Sequence, residues 1–296
     1  KSDTKWAKAG FEVKHEQFAI NDRLATAFSP MSLKTGREAD MKEAMEWFDI
    51  VKPHFFRAPL DNDKGFGNWI AKDWKNNRLD SPETATVKPL DAKRNADGTV
   101  TVTTTQECRY ANGKITTDYV YTMDADGSVD FSATYTPEGQ LPPLPCIGNT
   151  FLMDKDMTRL SWYGQGLQDS YVDRLEATGI GRWTSSVDQE YVHYPRPQSS
   201  GNHEQTVTLS LTDAKGRGYT VTTANATPFA FSALPYSEHQ LSTVAHDCDL
   251  HTENNVFLNI DAAMMGLGNS SCGPGVLTKY SIPQKQHSLH VMFKRK

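Results

Sequence analysis

Three consecutive stretches rich in β-branched and aromatic residues constrain the fold of this chain more than any other feature. They read TVTVTTT at 99–105, TTDYVYTM at 116–123 and SVDFSATYT at 128–136. Residues of these types favour strands. The stretches are separated by Asn112-Gly113 and by Asp124-Ala-Asp-Gly127, which are typical hairpin turns. The sequence therefore predicts an antiparallel meander in this region.

Many short strands are also predicted along the rest of the chain, with turn residues between them. The segment 136–145 contains four prolines and predicts a loop, because proline lacks the N–H that a central strand donates. A short helix is expected over Ala39–Phe48, where helix formers and apolar residues recur at helical spacing. Together these patterns indicate an all-β sandwich of large sheets. The further strands are predicted at 149–153, 206–212, 218–223, 227–234, 256–261, 275–281 and 288–294.

Composition excludes two classes of partner. A net charge of −5 and a pI near 6.0 argue against nucleic-acid binding. We find no apolar run near the roughly 18 residues that span a membrane, and the first residues lack the apolar core of a signal peptide. We therefore expect a soluble protein, cytoplasmic or periplasmic in a bacterium, with the compartment left open.

The four cysteines show no CxxC pair and are expected to be free, mostly buried thiols.

Four strings could carry chemistry, and the first two have a structural alternative that we favour. In RAPLDND at 57–63, the cluster Asp61, Asn62 and Asp63 suits either a hard cation or a turn. In WYGQGLQDSYVDR at 162–174, Trp162 and Tyr163 could stack on a sugar ring. The alternative is a glycine-bearing turn in which Asp173 and Arg174 fix the backbone. The turn is the favoured interpretation of both strings.

The other two strings are RPQSSGNHE at 196–204 and LNIDAAMMGLGNSSCGPGV at 258–276. His203 and Glu204 point to opposite faces if extended, so a polar loop is favoured over an acid–base pair. The glycines of the last string predict a tight loop, and no strand–turn–helix context supports dinucleotide binding. Cys272 has no obvious base nearby in sequence and is a weak candidate nucleophile. His246 is expected to be structural.

The order and spacing of these strings closely resemble the C-terminal domain, or small chain (domain 5), of family 2 β-galactosidases. The resemblance implies a galactose-mutarotase-like supersandwich over 22–296, with one or two short helices. It also implies that 1–21 is the last strand of a preceding immunoglobulin-like domain. In the family both catalytic glutamates lie in a central barrel, and nothing here matches their motifs. No catalytic residue is therefore assigned, and the isolated chain is expected to be inactive.

The resemblance also implies a role in completing the sugar pocket of a retaining β-galactosidase. The expected partners are the catalytic barrel, the immunoglobulin-like domain and a galactoside. No cofactor is expected within this chain, and the magnesium or calcium of the full enzyme should have its principal ligands elsewhere. Without its partner, the pocket surface is expected to be unusually apolar or poorly ordered. Residues expected to line the pocket are Gly268, Asn269, Ser271, Cys272, Asp61 and Asn62, and the loop expected to approach it is Gly65, Phe66, Gly67 and Asn68.

Two alternatives stay open at this point. A stand-alone aldose 1-epimerase (mutarotase) of the same fold would need a histidine and a carboxylate, with His203, His246 and Asp261 as candidates. A carbohydrate-binding module would instead present exposed aromatic side chains in a cleft. The candidates for that role are Trp69, Trp162 and Trp183.

Overall fold

The computed structural model describes residues 37–65 and 70–296, which form two antiparallel sheets and five short helices. The helices are α1 (Arg37–Asp49), α2 (Asp61–Lys64), α3 (Ile70–Asn76), α4 (Val187–Glu190) and α5 (Glu238–Thr243). The strands are β1 (Val51–His54), β2 (Glu83–Arg94), β3 (Val100–Tyr110), β4 (Gly113–Met123), β5 (Val129–Gly139), β6 (Cys146–Asp154), β7 (Arg159–Gly166), β8 (Gly179–Ser186), β9 (His203–Thr206), β10 (Thr208–Thr212), β11 (Gly218–Thr223), β12 (Phe229–Leu234), β13 (Asn255–Met264) and β14 (His287–Arg295).

The smaller sheet has five strands in the order β1-β6-β13-β12-β9. The larger sheet has nine, in the order β2-β3-β4-β5-β14-β11-β10-β7-β8. Neighbouring strands are antiparallel throughout both sheets. The predicted all-β class and two-sheet arrangement are therefore confirmed.

The main core contains side chains from both sheets and from α1. Trp47 of α1 contacts Phe151 of the smaller sheet and Tyr121, Phe131 and Phe293 of the larger one, with ring centroids 4.7–6.1 Å apart. All five side chains are fully buried. Aromatic side chains of this size bury much apolar area, so α1 closes the sandwich instead of lying on its surface.

The predicted helix and meander are confirmed, since α1 covers Ala39–Phe48 and β3, β4 and β5 cover the three stretches. The loop predicted at 136–145 begins late, because β5 continues through Pro137 to Gly139. Pro137 pairs with Ile115 of β4, whereas the pairing of β5 with β14 ends at Tyr135. The missing N–H of Pro137 therefore falls where β5 has become an edge strand.

Two predicted strands are wrong in extent or kind. The segment 206–212 is split, because β9 belongs to the smaller sheet and β10 to the larger one. The change of sheet falls at Val207, between the end of β9 and the start of β10. Gln205, with a φ of 53°, lies within β9, where the register against β12 shifts. The segment 275–281 is a loop that ends in a 3₁₀ turn at Thr278–Tyr280. Its residues are mostly exposed, and it pairs with no described strand.

Strands β1, β2, β7 and β8 were not individually predicted from sequence. In β7 and β8, glycines weaken the strand signal. Gly166 is needed because the ring of Trp183 lies across the hairpin: a Cβ atom at Gly166 would come within 2.7–2.9 Å of ring atoms of Trp183. The indole Nε1 also donates to the carbonyl of Gly164 at 3.1 Å.

The remaining expectations from the sequence concern the cysteines, membrane-spanning helices and residues outside the described part of the chain. All four cysteines are free, but only Cys108 and Cys146 are buried, since Cys248 and Cys272 are exposed. In the part of the chain that the structure describes, no helix has the length and apolarity to cross a membrane. The strand expected within 1–21, the domain boundary after it, and Phe66, Gly67, Asn68 and Trp69 lie outside the described residues.

Candidate functional site

The glycine loop, defined here as residues 266–276, leaves the end of β13 and is held by side chains of the second string. The carboxylate of Asp173 accepts the backbone N–H of Leu267 at 3.0 Å and that of Gly268 at 2.8 Å. Arg174 donates to the carbonyl of Gly268 at 2.6 Å and to Oδ1 of Asn269 at 3.0 Å. Charged hydrogen-bond partners strengthen such contacts. The favoured interpretation of the Asp173–Arg174 pair, backbone fixation, therefore matches these contacts.

The first string holds the opposite side of the same loop. Asn62 of α2 donates to the carbonyl of Gly268 at 2.8 Å and accepts the N–H of Ser271 at 3.4 Å. Gly65 packs directly against the loop, since a Cβ atom there would lie 2.4 Å from the carbonyl oxygen of Ser270. Gly268 itself has a φ of +61°, a left-handed conformation that favours glycine. The loop is thus fixed from two sides.

A buried ion pair anchors the first string. The Asp61–Lys64 turn places Asp63 inside the protein, where its carboxylate accepts two hydrogen bonds from Arg57, at 2.8 and 3.2 Å. Neither side chain is more than 1% exposed. Arg57 also donates to the carbonyl of Met265 at 3.0 Å, directly before the glycine loop. The favoured turn interpretation of Asp61-Asn62-Asp63 is confirmed for these residues.

The structure brings the described candidate pocket residues to one face, where they differ in exposure. Asp61, Asn269 and Cys272 are exposed, Asn62 and Ser271 are half-buried, and Gly268 is buried. Residues 269–275 are Asn, Ser, Cys, Gly and Pro, so the apolar surface expected there is not found in the described part. The Cys272 thiol has no hydrogen bond to a histidine or carboxylate of the described chain, which leaves a nucleophilic role without support.

The third string is a loop over residues 196–202, as expected, but all of it except Arg196 is buried, and its last two residues begin β9. Gln198 accepts the N–H of Asp61 at 3.1 Å and so joins the first string. His203 and Glu204 lie in β9 and have separate partners, as adjacent strand residues should. His203 bonds Glu190 at 2.5 Å, and Asn202 donates to Glu204 at 3.2 Å. Burial raises the pKa of Glu204 to about 8.

A second buried cluster, which the sequence analysis missed, joins three strands of the smaller sheet. His54 Nδ1 lies 2.7 Å from Asp261 Oδ1, and His54 Nε2 lies 3.8 Å from Cys146 Sγ. No motif links these residues, which are far apart in sequence, and only Asp261 falls within one of the four strings. Their donor atoms lie within 4.8 Å of one another. A set of one nitrogen, one sulfur and one carboxylate does not fit magnesium or calcium, which prefer several oxygen ligands.

The structure does not bring the residues of the mutarotase alternative together, and it tests the carbohydrate-binding alternative only at Trp162 and Trp183, because Trp69 lies outside the described residues. His203 and Asp261 are fully buried in separate ion pairs, and His246 is exposed. The three mutarotase candidates therefore do not form one site. Trp162 is only 3% exposed and donates to the carbonyl of Gln165, so it offers no stacking face to a sugar. Trp183 is half-buried over the β7–β8 hairpin.

Comparison with curated proteins finds β-galactosidases. One from Photobacterium profundum is 26% identical over 335 residues, covering 99% of this chain and 31% of the relative. One from Streptococcus thermophilus is 32% identical and covers 73% of this chain and 21% of the relative. β-Galactosidase BgaC from Bifidobacterium adolescentis is 35% identical, with 61% and 17% covered. The chain thus spans less than a third of the length of these relatives.

Solved structures and family models were compared as well. A galactose mutarotase-like protein from Clostridium acetobutylicum has 8% identity and a TM-score of 0.38, covering 83% of this chain and 78% of that one. A likeness this low carries no argument about function. The family model described as β-galactosidase small chain, however, matches residues 27–293. Because that match extends over nearly the whole sequence, this chain belongs to the β-galactosidase small chain family.

Proposed function

We propose that this chain is the C-terminal part of a retaining β-galactosidase and that its glycine loop closes one side of the sugar pocket. The retaining reaction needs two carboxylates about 5–5.5 Å apart. We assign neither to this chain and place both in a catalytic barrel outside it. The preceding immunoglobulin-like domain would be the second partner, and magnesium or calcium would be bound mainly by residues outside this chain.

The observation that carries the proposal is the set of side-chain contacts that hold the backbone of the glycine loop. The polar surface of the loop, in contrast, differs from the apolar or poorly ordered surface expected without a partner. Asp173, Arg174 and Asn62 hold its backbone, while Asn269 and Cys272 stay exposed at its tip. A pocket wall must hold its contacts in place before the sugar arrives, because binding energy is otherwise lost in ordering the loop. Exposed amide, hydroxyl and backbone groups suit sugar hydroxyls, and they suit a polar contact with the barrel.

Complementation tests the proposal. The chain is produced together with the barrel-bearing remainder of its parent β-galactosidase, and hydrolysis of a chromogenic β-galactoside is measured. We expect neither part to be active alone and activity to appear on mixing. Asn269→Ala on the glycine loop should lower the restored activity, mainly through KM. Lys215→Ala, at an exposed turn of the larger sheet, is the matched control and should leave it unchanged.

Two results would refute the proposal. Hydrolysis by the isolated chain, after removal of contaminating enzyme, would place catalytic carboxylates within it. Full activity of the barrel-bearing part alone would show that the pocket needs nothing from the glycine loop. Polarimetry of freshly dissolved galactose belongs in the same series, since anomerisation by the chain alone would identify a mutarotase.

A further inference from the structure

Two chain segments that leave the smaller sheet run side by side and are joined by side chains. One follows β1 and covers residues 55–65, and the other follows β13 and leads into the glycine loop. Beyond the sheet, Arg57 donates to the carbonyl of Met265 and Asn62 to that of Gly268. The first contact of this series lies at the sheet itself, where His54 bonds Asp261 at 2.7 Å.

The His54–Asp261 contact reaches across an intervening strand. Both residues are register partners of Gly148 in β6, one on each side. A Cβ atom at Gly148 would lie 2.3 Å from Oδ1 of Asp261, so the absence of a side chain there makes the contact possible. The His54 and Asp261 side chains are 5% and 0% exposed. The second oxygen, Oδ2 of Asp261, has no hydrogen-bond partner among the described residues.

We infer that the His54–Asp261 pair is a positioning contact for the glycine loop, which makes the geometry of that loop depend on the charge of one histidine. Asp261 lies only four residues before Met265, where the Arg57 contact begins. Loss of His54 would leave a buried carboxylate without its side-chain partner. Buried charges in that condition relax by moving or by binding a proton, and the nearest irregularity in the ladder is the register shift between Asp261 and Ala263, directly before the loop. The consequence for sugar binding rests on the function proposed above.

The electrostatic surroundings of His54 come from four elements. Asp261 faces it from β13, Cys146 from β6 and Glu238 from the start of α5, while Arg57 lies three residues along its own segment. Burial by itself would lower the pKa of His54, but attraction to Asp261 and the hydrogen bonds outweigh burial and raise it well above 6.5. Burial also raises the pKa of Asp261. The pair therefore holds its proton more tightly than free histidine does.

Hydrogen exchange of the full chain tests the inference without a partner or a sugar. The backbone amides of Leu267 and Gly268 are the reporters, because both bond Asp173 within the held loop. In His54→Gln we expect these two amides to exchange at least about tenfold faster relative to amides of β10 and β11. A tenfold change corresponds to about 1.4 kcal/mol. His203→Gln is the matched control, since it breaks an equally buried histidine–carboxylate pair whose histidine lies in the same sheet, with its partner Glu190 in α4.

The control should accelerate exchange without singling out the loop. Unchanged loop amides in His54→Gln, or equal acceleration of all amides, would overturn the inference and leave the pair as a source of global stability only. Asp261→Asn provides a second variant. If neither variant folds, the unmodified chain gives the same test: after correction for intrinsic rates, loop protection should fall as pH rises through the His54 titration followed by NMR. No galactoside or barrel is present in the exchange experiment, so a result that overturns this inference would not refute the proposed function. A failed complementation experiment would likewise not refute the role of the His54–Asp261 pair.

Discussion

Removing the carboxylate of Asp63 should destabilise the chain strongly, because it leaves the Arg57 guanidinium buried without its ion-pair partner. Arg57 is fully buried and donates two hydrogen bonds to the carboxylate of Asp63, which offset the cost of burying its charge. Its remaining hydrogen-bond partners are the carbonyls of Met265 and Gly266, at 3.0 and 3.5 Å, and the sulfur of Met264, at 3.7 Å. Breaking a buried pair from one side costs about 3–5 kcal/mol. That is a large share of the roughly 5–15 kcal/mol by which domains are stable.

Urea unfolding followed by tryptophan fluorescence measures this cost. With a slope near 3 kcal/mol per molar urea, the midpoint of Asp63→Ala should fall by about 1–1.7 M. Asp61→Ala is the matched control, since Asp61 lies in the same helical turn but is exposed. Its free energy of unfolding should change by no more than about 0.5 kcal/mol.

A double variant separates the ion pair from simple loss of packing. Arg57→Met added to Asp63→Ala removes the unpaired charge, so it should recover part of the lost stability. The guanidinium carbon also lies 5.7 Å from the ring centroid of Trp74 and 5.9 Å from that of Tyr171, and methionine keeps some of these contacts. A cost below 1 kcal/mol for Asp63→Ala, or further loss in the double variant, would refute the reasoning.

Three further predictions follow from buried groups of the smaller sheet and the β7–β8 hairpin. The pKa of His54 is raised in the folded chain, so its contribution to stability is complete below the unfolded-state pKa near 6.5 and is lost as the pH rises through the folded-state pKa. In His54→Gln, the free energy of unfolding from urea titrations should therefore change less with pH over that range. The pKa of Glu204 is raised to about 8, so the free energy of unfolding should fall as the pH rises from about 4.5 to 8. At pH 8, Glu204→Gln should be more stable than the unmodified chain, and a less stable variant would contradict the burial argument. Gly166→Ala should lower the thermal midpoint, because the new Cβ atom meets the Trp183 ring, and Gly179→Ala in the same hairpin, with open space around it, should not.

Local sequence patterns were sufficient for the meander of β3, β4 and β5. β3, β4 and β5 pair in order through short turns, and their β-branched and aromatic residues specify both strand and face. The same reasoning failed at β7 and β8, where glycines make room for Trp183. It also failed at 206–212, because nothing in the local sequence marks Val207 as the point where the chain passes from one sheet to the other.

The candidate site was only partly predictable, for a different reason. The strings marked Asp173, Arg174 and Asn62, and the structure places these around the glycine loop. The buried pairs were missed because a string marks residues and not their partners: Arg57–Asp63 lies within the first string, whereas Glu190–His203 and His54–Asp261 each have one member outside all four strings. A histidine or arginine beside apolar residues has the same local sequence whether its distant partner exists or not.

The arrangement of strands explains why side chains and not ladder hydrogen bonds hold the candidate site. β1 and β13 lie on either side of β6, so the segments that follow them start two strand spacings apart, about 10 Å. That distance is too great for backbone pairing but within the combined reach of a histidine and an aspartate, or of one arginine. Contacts such as His54–Asp261 and Arg57–Met265 therefore fix the glycine loop relative to residues 55–65. Substitutions in these side chains should change loop geometry while the ladder of the sheet stays intact, whereas substitutions in the larger sheet should change stability alone.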